Sequence, residues 1–199
     1  MSKKRSYTLK QRAESQDATR QRIVEAAMQL HGEIGPRATS VCAIADRAGV
    51  QRLTVYRHFP TDADVFAACS AHFLELNPPP DPAQWQTQQD PLERTRVALA
   101  AFYAYYARTA YMWGRVLADE AAVPALAGPV GGYRQMIIDL ACDLAGAFKA
   151  GRRKRQLAAT LEHALFFPTW ADLDSRGLSD RDKVSLVLSW VSGALGNPD

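Results

Sequence analysis

The 199 residues include only three cysteines, Cys42, Cys69 and Cys142, an odd and widely spaced set that suits neither a disulfide framework nor a paired-cysteine metal site. All three fall in apolar-periodic segments and are expected to be small buried hydrophobes. No apolar run approaches the roughly 18 to 20 residues that cross a bilayer. The start, MSKKRSYTLKQR, has basic residues but lacks the apolar stretch and cleavage site of a secretory signal. A soluble cytoplasmic protein with no membrane partner is expected. Sustained period-two alternation is missing, which excludes a sheet-based fold. So are a phosphate-cradling glycine loop, an HExxH pair and a nucleophile elbow, while His31, His58, His72 and His163 form no recognisable site. The chain is therefore not expected to be an enzyme, and no catalytic residue, cofactor or metal is assigned.

What is present is basic charge at one end. Residues 1 to 60 carry 11 Lys/Arg against 5 Asp/Glu, whereas the remainder is net acidic. Clustered cations gain free energy by releasing counterions from phosphates, so the basic end suggests a polyanion partner. Helical spacing dominates throughout and predicts an all-α fold. Ile23, Ala26, Ala27, Leu30 and Ile34 make one stripe that Gly35 ends. Thr39 is expected to cap a short helix by accepting from the amide of Cys42. That helix ends at Gly49, and another follows from Gln51 to Phe59 before Pro60. Thr61 and Asp64 form a capping box for a fourth helix to Leu76. After the proline run at 78–82, Asp90, Pro91 and Glu93 open a buried helix to about Arg108, followed by a short one over Tyr111 to Leu117. Further helices are expected through Tyr133 to Phe148, over Arg155 to Leu173, and over Asp180 to Leu195 behind a Ser179 cap. The domain reading is a disordered basic arm at 1–16, a DNA-binding domain at 17–60, a connecting helix at 61–77 and a larger helical domain at 78–199. The basic run Arg152 to Arg155 is expected as a solvated cap just past a helix C-terminus.

Two short helices joined through Gly49 match a DNA-reading helix-turn-helix, with the second helix entering the major groove. Its outward residues Gln51, Arg52, Thr54, Tyr56, Arg57 and His58 all carry donors for phosphates or base edges. The segment ATSVCAIADRAGVQRLTVYRHFPTDADVF from Ala38 to Phe66 resembles the tetracycline-repressor (TetR) family. The matching positions are Thr39, Val41, Ile44, Ala45, Ala48, Gly49, Val50, Val55, Tyr56 and Phe59. The resemblance implies phosphate contacts from Thr39, Thr54, Tyr56 and His58, and base contacts from Gln51, Arg52 and Arg57. Thr61 is a further candidate. Lys3, Lys4 and Arg5 are either a solvated tail or a minor-groove arm. Three positions depart from the family pattern. His31 replaces an aromatic and is expected to pack in the core, Leu53 replaces a small residue, and Asp62 replaces a frequent lysine.

In the resembled family the C-terminal helices supply a dimer interface and a ligand pocket. Here the final helices are apolar on two sides, which suggests a homodimer built through Leu161, Leu165, Leu188 and Val191. Phe102, Tyr103, Tyr106, Trp113 and Tyr133 suit a pocket for an apolar or aromatic effector, with core packing as the alternative for each. The expected function is a transcriptional regulator, read as a repressor, that binds double-stranded operator DNA and is released by a small molecule. The competing readings are a helical small-molecule-binding protein or enzyme with an N-terminal regulatory unit, and a helical interaction module.

Overall fold

A computed structural model describes residues 2–196, with side chains from residue 11 onward. Among the described residues there is no strand, and no helix is long and apolar enough to cross a membrane. Ten α-helices follow in order: α1 (Ser2–Ile34), α2 (Val41–Ala48), α3 (Arg52–His58), α4 (Asp62–Leu76), α5 (Ala83–Gln86), α6 (Pro91–Asp119), α7 (Ala127–Gly146), α8 (Lys154–Leu165), α9 (Phe167–Ser175) and α10 (Asp180–Leu195). They form two compact units. One comprises Met1–Asn77 with Arg115–Pro129, the other Pro78–Gly114 with Val130–Asp199. The division at Asn77 lies at the proline run. The return of residues 115–129 to the N-terminal unit is not visible in the sequence.

In the N-terminal unit, α1 packs against α2 and α4. Ile23, Ala27, Leu30, Ile44, Ala45, Val55, Phe59, Val65 and Cys69 make its core. Helix α1 takes in residues 2–16, expected as an irregular arm, and Ile34 at its end is 45% exposed rather than part of the buried stripe. The cap of α2 also differs from expectation. Ser40 Oγ accepts from the amide of Ala43, while the Thr39 hydroxyl donates back to Gly35 O at 2.8 Å. Both residue types can cap, so one position is all that separates them. Gly49, at φ 64°, sends its own N–H to Asp46 O, and Val50 N–H bonds Ala45 O. That pair of bonds is a Schellman termination, and it turns the chain tightly into α3. At α4, Thr61 Oγ1 accepts from Asp64 N and Asp64 Oδ2 accepts from Thr61 N, as the capping box requires.

His31 packs as expected. It is 3% exposed, stacks on Phe66 with centroids 4.7 Å apart, and places Nδ1 3.4 Å from Cys69 Sγ. Burial lowers its pKa to about 4 and pushes the Cys69 thiol up to about 12. Of the three cysteines only Cys69 is buried; Cys42 and Cys142 are exposed, because each lies on the outer face of its helix.

In the C-terminal unit, α6 runs unbroken where two helices were expected, since nothing between Arg108 and Tyr111 ends a helix. Conversely, the single helix expected over 155–173 is two. Pro168 has no N–H, and inside a continuous helix its ring would meet the carbonyl of Ala164, four residues back. The chain breaks at Phe166 (φ −74°, ψ 136°) and restarts with Pro168 in the first turn of α9. Lys183 is 1% exposed on α10 and is held by Asp174 and Asp180, each at 2.7 Å, over the ring of Trp170. The basic run after Ala150 forms a turn leading into α8. Arg153 there donates to Leu195 O at 2.6 Å, so it caps the end of α10 and not the helix before it.

Candidate functional site

Helix α3 stands on two buried anchors, Val55 and Phe59, at 1% and 2% exposure. Four residues apart, they fix the inner face, which leaves the opposite face in solvent. Gln51, Arg52, Leu53, Tyr56 and Arg57 are exposed there, and Thr54 and His58 are half-buried at its margins. No carboxylate interrupts residues 51–61. The Arg52 guanidinium donates to Tyr56 Oη at 3.1 Å and lies 5.4 Å from the centre of that ring. One helical turn thus pre-aligns two of the long side chains before any nucleic acid arrives. Arg20 of α1 sits over the Phe59 ring at 4.9 Å, bringing a further cation beside the end of α3. Thr39 is half-buried at the entry to α2. The Thr61 hydroxyl is committed to its cap, donating to Asp64 Oδ2 and accepting from Asp64 N. Asp62 and Asp64 also make that first turn acidic, and their like charge opposes a phosphate beside Thr61 that the helix N-terminus alone would favour. Lys3, Lys4 and Arg5 lie outside the residues whose side chains are described.

A short helix, a glycine-closed turn and a donor-bearing helix on apolar anchors make up a DNA-reading head. Residues 23–69 match the family model described as bacterial regulatory proteins, tetR family. The N-terminal helix-turn-helix is that of the tetR family. Solved tetR-like structures also share the fold over most of the chain. A TetR-like transcriptional regulator from Rhodococcus sp. RHA1 is 23% identical with a TM-score of 0.63, covering 90% of this chain and 97% of its own. NalD, the secondary repressor of the MexAB-OprM multidrug efflux pump in Pseudomonas aeruginosa, is 20% identical with a TM-score of 0.58, covering 89% of this chain and 95% of its own. The fatty acid degradation regulator FadR from Bacillus halodurans is 18% identical with a TM-score of 0.57, over 89% and 95%. At these identities the likeness is one of fold. A comparison with curated proteins finds no match.

In the C-terminal unit, Phe102, Tyr103, Tyr106, Trp113 and Tyr133 are all buried, and they do converge. Tyr106 packs edge-on to Phe102 and Phe167, and Trp113 lies 4.2 Å from Tyr133, centroid to centroid. Their hydroxyls serve the break between α8 and α9. Tyr103 donates to Ala164 O at 2.9 Å, the carbonyl that the ring of Pro168 keeps out of a helical bond. Tyr106 donates to Leu165 O at 2.7 Å. Phe167 N–H donates to Tyr133 Oη, and the two tyrosine oxygens lie 2.9 Å apart. Because Tyr106 spends its one proton on Leu165, Tyr133 must donate to Tyr106. The relay runs from Phe167 N–H through both hydroxyls to Leu165 O. Burial raises the pKa of all three phenols, to about 12 for Tyr133, so each stays protonated to sustain it. Tyr105, in the same aromatic run of the sequence, is 1% exposed beside the cluster.

Leu161, Leu165 and Val191 are buried at 0% exposure within one chain, so they have no surface left for a second copy. Among the residues expected at a dimer interface, only Leu188 is half-open. Leu186 and Trp190 on α10 are also open to solvent in part. A groove of about 480 Å³ between α6 and α10 is lined by Arg96, Ala100, Ala104, Arg181, Val184 and Leu188, among others.

Proposed function

We propose that the chain is a repressor that grips a near-palindromic operator as a homodimer and is released by a small apolar or aromatic effector. The observation that carries the DNA reading is the donor-bearing, carboxylate-free face of α3 over the buried Val55 and Phe59. Gln51, Arg52 and Arg57 read bases, since amide and guanidinium groups suit adenine and guanine edges. Thr39, Thr54, Tyr56 and His58 hold phosphates, and Lys3, Lys4 and Arg5 add charge beyond them. NalD is a repressor by name, and FadR regulates fatty acid degradation; both lend weight to a regulator of this type.

The dimer forms through the open side of α10, where Leu186, Leu188 and Trp190 leave apolar surface exposed, with Leu161, Leu165 and Val191 supporting it from beneath. The effector acts through α6. That helix carries the aromatic cluster along its length and ends in Arg115 and Asp119, which hold the turn after α1 through Gly32 O and Arg37 N. A shift of α6 along its axis moves that turn, and with it the spacing of two reading heads that must match about 34–36 Å or a multiple.

Heparin chromatography and electrophoretic mobility shift with DNA flanking the protein's own gene test this reading. Retention and a sequence-specific shift, both lost on removing residues 1–60, support it. A C-terminal unit that alone retains the DNA shift would refute it.

A further inference from the structure

Leu53 is the most exposed large apolar side chain among the described residues, at 67%. It takes no part in the core that holds Val55 and Phe59. Its neighbour Arg52 is turned toward Tyr56 and does not cover it. At roughly 3.6 residues per turn, the line directly opposite the two anchors passes along Arg57 and within about 40° of Leu53. Tyr56 falls to one side of that line and Thr54 to the other. Leu53 is also the second residue of α3, and a helix lying in the major groove meets base edges with its N-terminal residues. The middle of the outward face and the leading end of the helix therefore coincide at a leucine. A lone leucine in solvent needs no partner, but on this face it loses its water whenever α3 enters a groove.

The chemistry of the side chain restricts what it can meet there. A branched hydrocarbon neither donates nor accepts, so it gains nothing from a phosphate. Set against the polar edge of guanine, adenine or cytosine, it takes water from a donor or acceptor and returns no bond, which costs free energy. Of the groups that line the major groove, one is apolar, the C5 methyl of thymine. Leu53 thus favours thymine twice, by burying hydrocarbon against that methyl and by penalising the other edges. The donors of Gln51, Arg52 and Arg57 have no means of sensing the methyl.

We propose that Leu53 is a base-reading residue that selects thymine in each half-site by packing on its C5 methyl. The inference rests on the DNA role proposed above for α3 and adds one apolar contact to its donors. It makes Leu53 a determinant of which operator is chosen, with no part in holding the fold.

Exchange of thymine for deoxyuridine removes the methyl and keeps the base pair, so it isolates this contact. The duplex is the one that the wild-type chain selects from a random library, with each thymine in turn exchanged in both half-sites. In fluorescence anisotropy the wild-type chain is expected to lose about fourfold in affinity per half-site at one thymine position, the worth of burying one methyl group. Leu53→Asn, close in size but polar, is expected to lose that sensitivity and to keep the wild-type melting temperature, because the side chain is exposed. Leu53→Met keeps a hydrocarbon of similar volume and is expected to retain it. A selected half-site without thymine, no position at which deoxyuridine weakens the wild-type chain, or the same cost in Leu53→Asn as in the wild type would overturn the proposal and leave the DNA role of α3 standing. A wild-type chain that selects no sequence at all would refute that role and the reading of Leu53 with it.

Discussion

The carboxylate of Asp119 accepts the backbone N–H of Arg37 at 2.9 Å, and a Cβ added to Gly35 would lie 2.7 Å from that same oxygen. Gly35 is at φ 88°, a conformation that L side chains rarely adopt. Only glycine therefore both turns the chain after α1 and leaves room for the end of α6. Gly35→Ala is expected to destabilise the N-terminal unit by about 1–2 kcal/mol, read by urea denaturation. Asp119→Asn keeps an acceptor for Arg37 N–H and is expected to be milder than Asp119→Ala in both stability and DNA affinity. Equal effects of the two would show that the hydrogen bond carries nothing.

The stability of the DNA-binding unit depends on pH through His31. The unfolded side chain takes a proton near 6.5, while the buried ring resists until about 4. Unfolding is thus coupled to proton uptake across that interval. The contribution of the neutral ring is complete above pH 6.5 and is lost as pH falls toward 4, on the order of 3 kcal/mol in total. His31→Phe keeps an aromatic against Phe66 and is expected to flatten denaturation midpoints between pH 7 and 4.5. An unchanged slope would place the pH dependence elsewhere.

Tyr106→Phe strands two buried groups at once, Leu165 O and the proton of Tyr133. Unsatisfied buried groups each cost about 1–3 kcal/mol. Thermal unfolding of Tyr106→Phe is therefore expected to fall several degrees below that of the wild type. An unchanged melting temperature would contradict the relay.

For the dimer, Leu186→Glu and Trp190→Glu on the open side of α10 are expected to give monomers in sedimentation, since a buried unpaired charge costs several kcal/mol. Both variants remaining dimeric would move the interface off α10.

Local chemistry made much of this legible beforehand. The Thr61–Asp64 box, the Ser179 cap, the glycine turn at Gly49 and the inward stripe of α1 each depend on residues within a few positions of one another, so their spacing announces them. What escaped depends on competing local signals or on distant partners. The Schellman turn after α2 is local, but whether Thr39 or Ser40 caps its start is settled by where Gly35 O lies. Burial of Leu161, Leu165 and Val191 inside one chain cannot be told from burial against a second copy by an apolar stripe alone. Pro168 is a local signal for the break between α8 and α9, but the apolar periodicity continues across it on either side. The roles of Tyr103, Tyr106 and Tyr133 at that break join residues up to 61 positions apart, and no pattern along the chain records them.

The proposed recognition face divides into two kinds of contact. Arg52→Ala is expected to cost about 1–3 kcal/mol and to relax preference at one base pair if Arg52 reads an edge as proposed. Tyr56→Phe is expected to weaken binding to all sequences alike, and to free Arg52 from its bond at 3.1 Å. A uniform loss from Arg52→Ala would make it a phosphate contact instead.

Selection from a random duplex library at fixed salt, followed by anisotropy titrations of the selected and scrambled sequences, tests DNA recognition by α3 most directly. The account requires enrichment of a near-palindromic site with half-sites about one helical turn apart, or a multiple. It also requires the preference for that site over the scrambled one to collapse in the Gln51→Ala, Arg52→Ala double variant while the protein stays folded. No enrichment by the wild-type chain, or the same preference retained by the double variant, would contradict it.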